Sequence, residues 1–389
     1  MKIRTGVLRK TLPRLLDDGF LRLVLESREE GAWIIEPDRH PETDTPVLVA
    51  SHGDRKEVHP VTERDGLILR LSRAGFVKHT YVVDERRRVV LDARYGKAKE
   101  KVLDDATLKK ISGGRDDPLR PDNAGALLRE LGLMTAKGTI PARGAKKLKQ
   151  VNDFVRVLKP VIEKLRNRPR GTDEDPTLRF VDLACGNSYL AFVVARTLAE
   201  LDRPWRGHGV DSRPELIERS RARAARLGFD ALEFECARLE DWSPKPADLA
   251  ISLHACDTAT DLALIRAVEV GAEAILVVPC CQNELFLQLD RDPPVFPELC
   301  RQSLYRRAFA ATLTDALRAL ALEALGYKVK VLEFTAALHT TKALMIRARK
   351  VRGPCPERRR EFTEACERHA VRPMIAAIFD AAERARQRT

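Results

Sequence analysis

The 389-residue chain has no CxxC pair, no G-x-G-x-x-G run and no long apolar stretch. Each absence excludes something. Without paired CxxC elements a structural zinc ribbon is not expected. Eight cysteines spread over this length do not make the dense disulfide framework of a small secreted domain, so free thiols in a reducing compartment are expected. The longest useful apolar run, "AILVV" at 274–278, falls far short of the roughly 18 residues of a membrane span. The opening "MKIRTGVLRKTLPRLL" has no apolar signal-peptide core. These features predict a cytoplasmic protein with no membrane partner.

What is present suffices for ordinary cores, with 44% hydrophobic residues in a chain long enough for two domains. The net charge is +12, of which residues 1–150 carry +8 and the remainder +4. That balance suits a polyanionic partner such as RNA, and equally a basic solvated surface.

Residues 1–140 read as a strand-rich basic module. "LRLVLES", "AWIIEP", "PVLVAS", "LILRLS", "KHTYVVD" and "RRVVLDA" are short, β-branched and bounded by turn residues. The stretch 104–140 is a polar connector with one short helix near 123–132. A helix starts near Ala145, because Leu148, Val151, Phe154, Val155, Leu158, Ile162 and Leu165 form one apolar face. "NRPRGTDEDPT" ends it.

From Thr177 the pattern becomes strand–helix alternation. "RFVDLA", "GHGVDS", "LEFECA", "LAISLHA" and "AILVVPC" are apolar strands, with helices predicted at 188–201, 214–227 and 258–270. This predicts an α/β domain with a parallel, Rossmann-like sheet over 141–350. A long helix near 304–325 precedes "YKVKVLEFT" and "KALMIRAR", which are placed to pair as an edge hairpin. The tail, 351–389, is Arg-rich and helical, with Pro373 starting its last helix.

The first core strand ends in "VDLACGNSYLA". Of the glycines that admit a pyrophosphate only Gly186 is present, with Ala184 and Ser188 at the alternate positions. Small residues still let a ligand approach the backbone, while Asp182 repels phosphate and suits a cation. Asp211, ending the second strand in "GVDS", sits where an open α/β sheet places a carboxylate for ribose hydroxyls. An amino group and a ribose without phosphates describe S-adenosylmethionine (SAM). The alternative is that both aspartates cap turns.

On these residues the chain resembles a class I SAM-dependent methyltransferase. More closely, it resembles a bacterial family marked by "VDLACGNSYL", "LHACDTATD" and "VPCCQ", with a "KLKQVNDF"-like helix before the core and a "VLEF…HT…LMIRA" ending. Eukaryotic relatives of that family include the ribosomal RNA adenine dimethylase domain-containing protein and the glutathione S-transferase C-terminal domain-containing protein. The resemblance covers about 140–350. It implies that Asp182, Ala184 and Gly186 lie along the methionine part of SAM, with Asp211 on the ribose and His254 also at the cofactor. One departure is Arg238, which stands where such enzymes commonly carry an acid for the adenine amino group. Either Glu240 or Asp241 substitutes, or the backbone of Ala237, Arg238 and Leu239 holds the adenine.

His254, Cys256 and Asp257 follow the fourth core strand, and Pro279, Cys280, Cys281 and Gln282 the fifth. In a doubly wound sheet both ends face the ligand crevice. Methyl transfer from a sulfonium needs an acceptor held in line and, where it is protonated, a base. Three routes are open. His254 or Asp257 acts as base or aligns the acceptor; a thiolate at Cys280 or Cys281 adds to a pyrimidine ring with Cys256 assisting elimination; or His254, Cys256, Cys280 and Cys281 bind zinc. The bland alternative is that small thiols pack beneath the cofactor, as Cys185 is expected to do. No obligate metal is expected. His339 and Lys342 could reach the same edge or serve as plain loop.

RNA, either rRNA or tRNA, is the expected substrate, from charge and from the resemblance. A protein of the translation machinery as substrate, or a non-catalytic SAM-binding module, are the alternatives.

Overall fold

The computed structural model describes residues 22–27, 30–39, 45–53, 55–83, 87–95, 97–102, 117–167, 176–201, 204–253, 255–333 and 344–387. They belong to two compact units, Met1–Lys149 and Gln150–Thr389.

The first unit contains a seven-stranded sheet. Its strands are β1 (Arg22–Glu26), β2 (Ala32–Arg39), β3 (Pro46–His52), β4 (Arg55–Pro60), β5 (Lys78–Val82), β6 (Arg87–Asp92) and β7 (Lys97–Val102). They run antiparallel in the order β4-β3-β2-β1-β5-β6-β7. Alternate residues such as Leu23, Leu25, Trp33, Ile35, Tyr81 and Leu91 share one buried cluster with helix α1 (Arg64–Arg73).

Two sequence expectations change here. "LILRLS" at 67–72 is not a strand but most of α1. Leu67, Ile68, Leu71 and Ser72 are its buried residues, which is helical spacing; a strand would have aligned 67, 69 and 71. The strands "RKEVHP" and "KAKEKV", β4 and β7, were not expected from the sequence. Both are sheet edges with exposed Val58 and Val102, and edge strands carry charge instead of an apolar face. The short helix of the connector is α2 (Gly125–Glu130), and α3 (Ala142–Arg166) follows. All seven residues of the expected apolar face of α3 are buried.

The second unit has the expected Rossmann-like sheet. It comprises β8 (Leu178–Leu183), β9 (Trp205–Asp211), β10 (Leu232–Cys236), β11 (Leu249–Leu253), β12 (Ala274–Val278), β13 (Tyr327–Glu333) and β14 (Leu344–Lys350). The order is β10-β9-β8-β11-β12-β14-β13, with β8 to β12 parallel and β14 antiparallel to both neighbours. Helices α4 (Tyr189–Ala199), α5 (Pro214–Leu227) and α6 (Thr258–Glu269) link the parallel strands. Pro214 opens α5, where its missing N–H is no loss, and Gly228 in a left-handed conformation closes it. On β9, any side chain at Gly207 would meet Phe180, and any at Gly209 would meet Phe234.

After β12 come α7 (Glu284–Gln288), α8 (Pro297–Cys300) and α9 (Ser303–Ala324). The Arg-rich tail folds as α10 (Pro356–Arg368) and α11 (Ile378–Gln387), with a 3-10 turn at Met374–Ala377 between Pro373 and α11. Its Phe362, Ile375, Ile378 and Phe379 share the core cluster of α6, α9 and the sheet. Chain direction changes side at β8: β9 and β10 lie on one flank, β11 and β12 on the other. The switch point of the strand order therefore lies between β8 and β11, and open α/β sheets bind their ligands at the carboxyl edge of such a point.

Candidate functional site

The turn after β8 has the backbone of a glycine loop built with few glycines. Ala184, Gly186 and Ser188 all have φ between 55° and 57°. Glycine adopts this region freely; alanine and serine are held in it at about 1–3 kcal/mol each. The holding contacts are visible. Cys185 N–H donates to Val210 O at 2.9 Å, Ser188 N–H to Cys185 O at 2.7 Å, and the hydroxyls of Ser188 and Ser220 are 2.9 Å apart. Cys185 is buried in this framework, and burial raises its thiol well above the usual range.

Asp182 is 2% exposed. Its Oδ2 accepts from Ala191 N–H in the first turn of α4 at 3.1 Å. Burial pushes its pKa up to about 8, the Ala191 bond opposes this, and the nearby Asp211 adds to it. Near neutral pH this carboxyl is therefore largely protonated, and it ties β8 to α4. Asp211, at the end of β9, is the charged partner. Its Oδ2 accepts from Gly186 N–H at 2.8 Å, and Arg213 closes on both oxygens at 2.9 and 3.1 Å. Desolvation works to raise its pKa, but the Arg213 and backbone bonds prevail and hold it below the usual range. Asp211 thus anchors the β8 turn, and half-exposed Arg213 covers it.

Beyond β10, Ala237 N–H donates to Asp211 O at 3.1 Å. Leu239 is buried, whereas the Arg238 side chain is 68% exposed and lies 3.5 Å from Glu240. Arg266 of α6 fixes this turn from below, donating to Leu239 O at 2.6 Å and to Glu240 O. Asp241 N–H closes the turn on Arg238 O.

The corner after β11 and β12 is built differently from its expected reading. Asp257 has φ 52° and ψ −125°, a strained conformation for a non-glycine residue. Its Oδ1 accepts from Asn283 N–H at 2.7 Å and Glu284 N–H at 3.0 Å, so the carboxylate caps α7. Its own N–H donates to Cys281 O, and its carbonyl accepts from Arg318 Nη2 at 2.8 Å. Arg318 is fully buried on α9. It forms a two-pronged ion pair with Asp261 at 2.6 and 2.8 Å and a further one with Asp315 at 3.1 Å. Asp315 in turn accepts twice from the Gln282 amide at 2.8 Å.

This framework aligns three thiols. Cys256 Sγ lies 3.0 Å from Cys280 Sγ, Cys280 Sγ lies 3.8 Å from Cys281 Sγ, and all three fall within 4.8 Å. Burial first, and then the neighbouring thiols, push Cys280 up to about 12; burial also raises Cys281. Both shifts keep Cys280 and Cys281 in the neutral thiol form near pH 7. His254, His339 and Lys342 lie outside the described residues.

The structure thus gathers Ala184, Gly186, Asp211 and the 237–239 turn at one edge, and Cys256, Cys280 and Cys281 at the neighbouring strand ends. Sequence reading missed Arg213, Arg266, Asp261, Asp315 and Arg318. Arg318 left a signal, since it interrupts the apolar side of α9 between Leu317 and Ala321, and Asp261 interrupts that of α6 in the same way. A cavity of about 1060 Å³ lies elsewhere, at the amino ends of β8, β9 and β10.

Residues 146–288 match the family model of a methyltransferase domain. No curated protein matches the chain. Among solved structures, the chain is similar to an rRNA methylase from Streptococcus thermophilus, at 12% identity and TM-score 0.30, over 45% of this chain and 88% of the other. It is also similar to a SAM-dependent methyltransferase from Aquifex aeolicus, at 16% identity and TM-score 0.28, over 50% and 89%. A third is the magnesium protoporphyrin IX methyltransferase from Synechocystis, at 13% and 0.34, over 58% and 93%.

Proposed function

We propose that the second unit is a SAM-dependent methyltransferase that acts on RNA. The observation that carries the reading is the carboxyl edge. A glycine-loop backbone built from Ala184, Gly186 and Ser188 meets Asp211 there, within a domain that matches a methyltransferase family model. In this reading the ribose hydroxyls of SAM take over the Asp211 oxygens now covered by Arg213. The methionine part runs along Ala184 and Gly186, and the adenine meets the backbone of 237–239. SAM supplies the electrophilic methyl group. Asp182 serves from beneath, by fixing the turn through Ala191. Asp257, already bound to two N–H groups, holds the corner in place, and the strand ends around it orient the acceptor for in-line attack.

The second unit also carries a surface suited to RNA. Lys328 and Lys330 on β13 face Arg349 and Arg347 across the strand pair, and these four side chains line one cleft with Lys164 of α3. Like charges directly opposite on a sheet are destabilising, so this face gains when an anionic backbone lies along it. Among the described residues no acid lines the cleft.

The test is incubation with radiolabelled SAM and total RNA and protein from cells lacking the gene. Label in RNA, removed by ribonuclease and absent with Asp211→Ala, is expected. Label confined to protein overturns the RNA assignment. No SAM binding by calorimetry overturns the enzyme assignment itself.

A further inference from the structure

We infer that Cys256, Cys280 and Cys281 form a thiolate site for a zinc ion at the junction of β11 and β12. The inference stands on sulfur geometry and does not rest on the methyltransferase reading.

Cys256 and Cys280 alone would equally suit a disulfide; what points to a metal is the third sulfur, Cys281, within 4.8 Å of both. Zinc bonds thiolate sulfur at about 2.3 Å in tetrahedral geometry, which places sulfurs about 3.8 Å apart. The Cys280–Cys281 separation is 3.8 Å, the Cys256–Cys280 separation is 3.0 Å, and the third pair is within 4.8 Å. The sulfurs thus outline one face of a tetrahedron to within the motion of a side chain.

The scaffold beneath them is built. Leu253 pairs with Val278 at the ends of β11 and β12, so the two thiol-bearing segments emerge side by side. Asp257 N–H to Cys281 O at 3.0 Å joins those segments. The Arg318 cluster then fixes Asp257 from the buried side, through its carbonyl. Cys256 and Cys281 are exposed and Cys280 is half-buried, so an ion can enter from solvent. Soft sulfur donors favour zinc over magnesium or calcium. Binding transfers the three thiol protons to buffer, and three Zn–S bonds replace bonds from the aqueous ion to water, with no change in oxidation state. With three protein donors, the fourth position is open to water or to a donor atom of an acceptor, the pattern of reactive rather than purely structural zinc.

The experiment uses the full chain, reduced and stripped with a chelator. Cobalt(II) is titrated as a spectroscopic probe, and zinc is then added in competition with a chromophoric chelator. One equivalent of cobalt, with an intense thiolate charge-transfer band and tetrahedral d–d absorption, is expected, displaced by one equivalent of zinc. Cys256→Ser and Cys280→Ser should lose the band, whereas Cys366→Ser on α10 should keep it. Circular dichroism and SAM calorimetry on each variant separate a lost site from a lost fold. Absence of the band in reduced, folded wild type overturns the proposal, as does a band that survives in the Cys256→Ser/Cys280→Ser double variant. A chain that binds the metal but not SAM leaves this site standing and overturns the function proposed above.

Discussion

The antiparallel sheet buries a histidine among near neighbours: His79 meets Ser72 at 3.0 Å, Phe76 O at 3.1 Å and Tyr81 at 3.2 Å, all within seven residues. The mixed sheet buries charge among distant ones. Arg318 meets Asp261 across 57 residues of chain, and the Asp211 carboxylate meets Gly186 N–H across 25. The difference follows from topology. Antiparallel neighbours are joined by short turns, so His79 finds local partners, while buried Arg88 on β6 reaches out of the sheet to Gly138 O, 50 residues on. Parallel strands deliver all their carboxyl ends to one edge, where loops from remote parts of the chain meet. Chemistry gathers at that edge for the same reason.

The largest expected effect tests the buried charges of the second sheet. Arg318→Met leaves Asp261 and Asp315 without their cation and should cost about 3–5 kcal/mol. Thermal unfolding followed by Trp205 and Trp242 in the second unit and by Trp33 in the first would show it. A loss below about 1 kcal/mol would make the two interiors energetically alike.

Next is Asp211→Ala. It should weaken SAM binding roughly ten- to a hundredfold, the worth of hydrogen bonds to a charged group. Calorimetry reads this directly, and unchanged affinity would remove Asp211 from the cofactor.

The two sheets should also respond to pH with opposite sign. Burial lowers His79 from 6.5 to about 4, so the unfolded chain takes up a proton there before the folded one does. His79's contribution is lost as pH falls from 6.5 to about 4. Asp182 is raised from 3.8 to about 8, so the folded chain keeps a proton that the unfolded one releases. Its contribution is lost as pH rises across that window, at up to about 1.4 kcal/mol per pH unit. Denaturant titrations of His79→Gln should flatten the acid limb and those of Asp182→Asn the alkaline one. The same limb flattened by both variants would contradict the contrast.

The smallest effect concerns Arg213, which covers Asp211 from a half-exposed position. Arg213→Ala should tighten SAM binding by no more than about fivefold, the scale of an exposed ion pair. Weaker binding would make Arg213 a cofactor contact instead of a cover.

The sequence made the second sheet legible because its strands are continuous apolar runs separated by amphipathic helices. The helices predicted at 214–227 and 258–270 match α5 and α6 to within a residue. The first sheet was legible only inside. Its edges β4 and β7 carry no apolar face, and α1 mimicked a strand because its apolar residues are nearly contiguous. At the candidate site, the meeting of Asp211 and Gly186 at one edge was legible because both sit next to strand ends. Arg318 marks itself only as a charge within an apolar helix face, its partner Asp261 being 57 residues away, and Arg266 leaves no mark, since Leu239 O lies 27 residues away. Asp257 shows the remaining difficulty: position identified the corner, but only the fold reveals a carboxylate spent on two N–H groups.

The left-handed turn after β8 has a thermodynamic corollary. A loop of three glycines roams widely when empty and must surrender that freedom when it closes on a ligand. Here Ala184 and Ser188 occupy two of the three left-handed positions, already locked by Cys185, Val210 and Ser220. The ordering is completed when the chain folds, before any cofactor arrives. Ligand capture at this edge should therefore carry a small conformational-entropy penalty, and Ala184→Gly should make the entropy of binding less favourable.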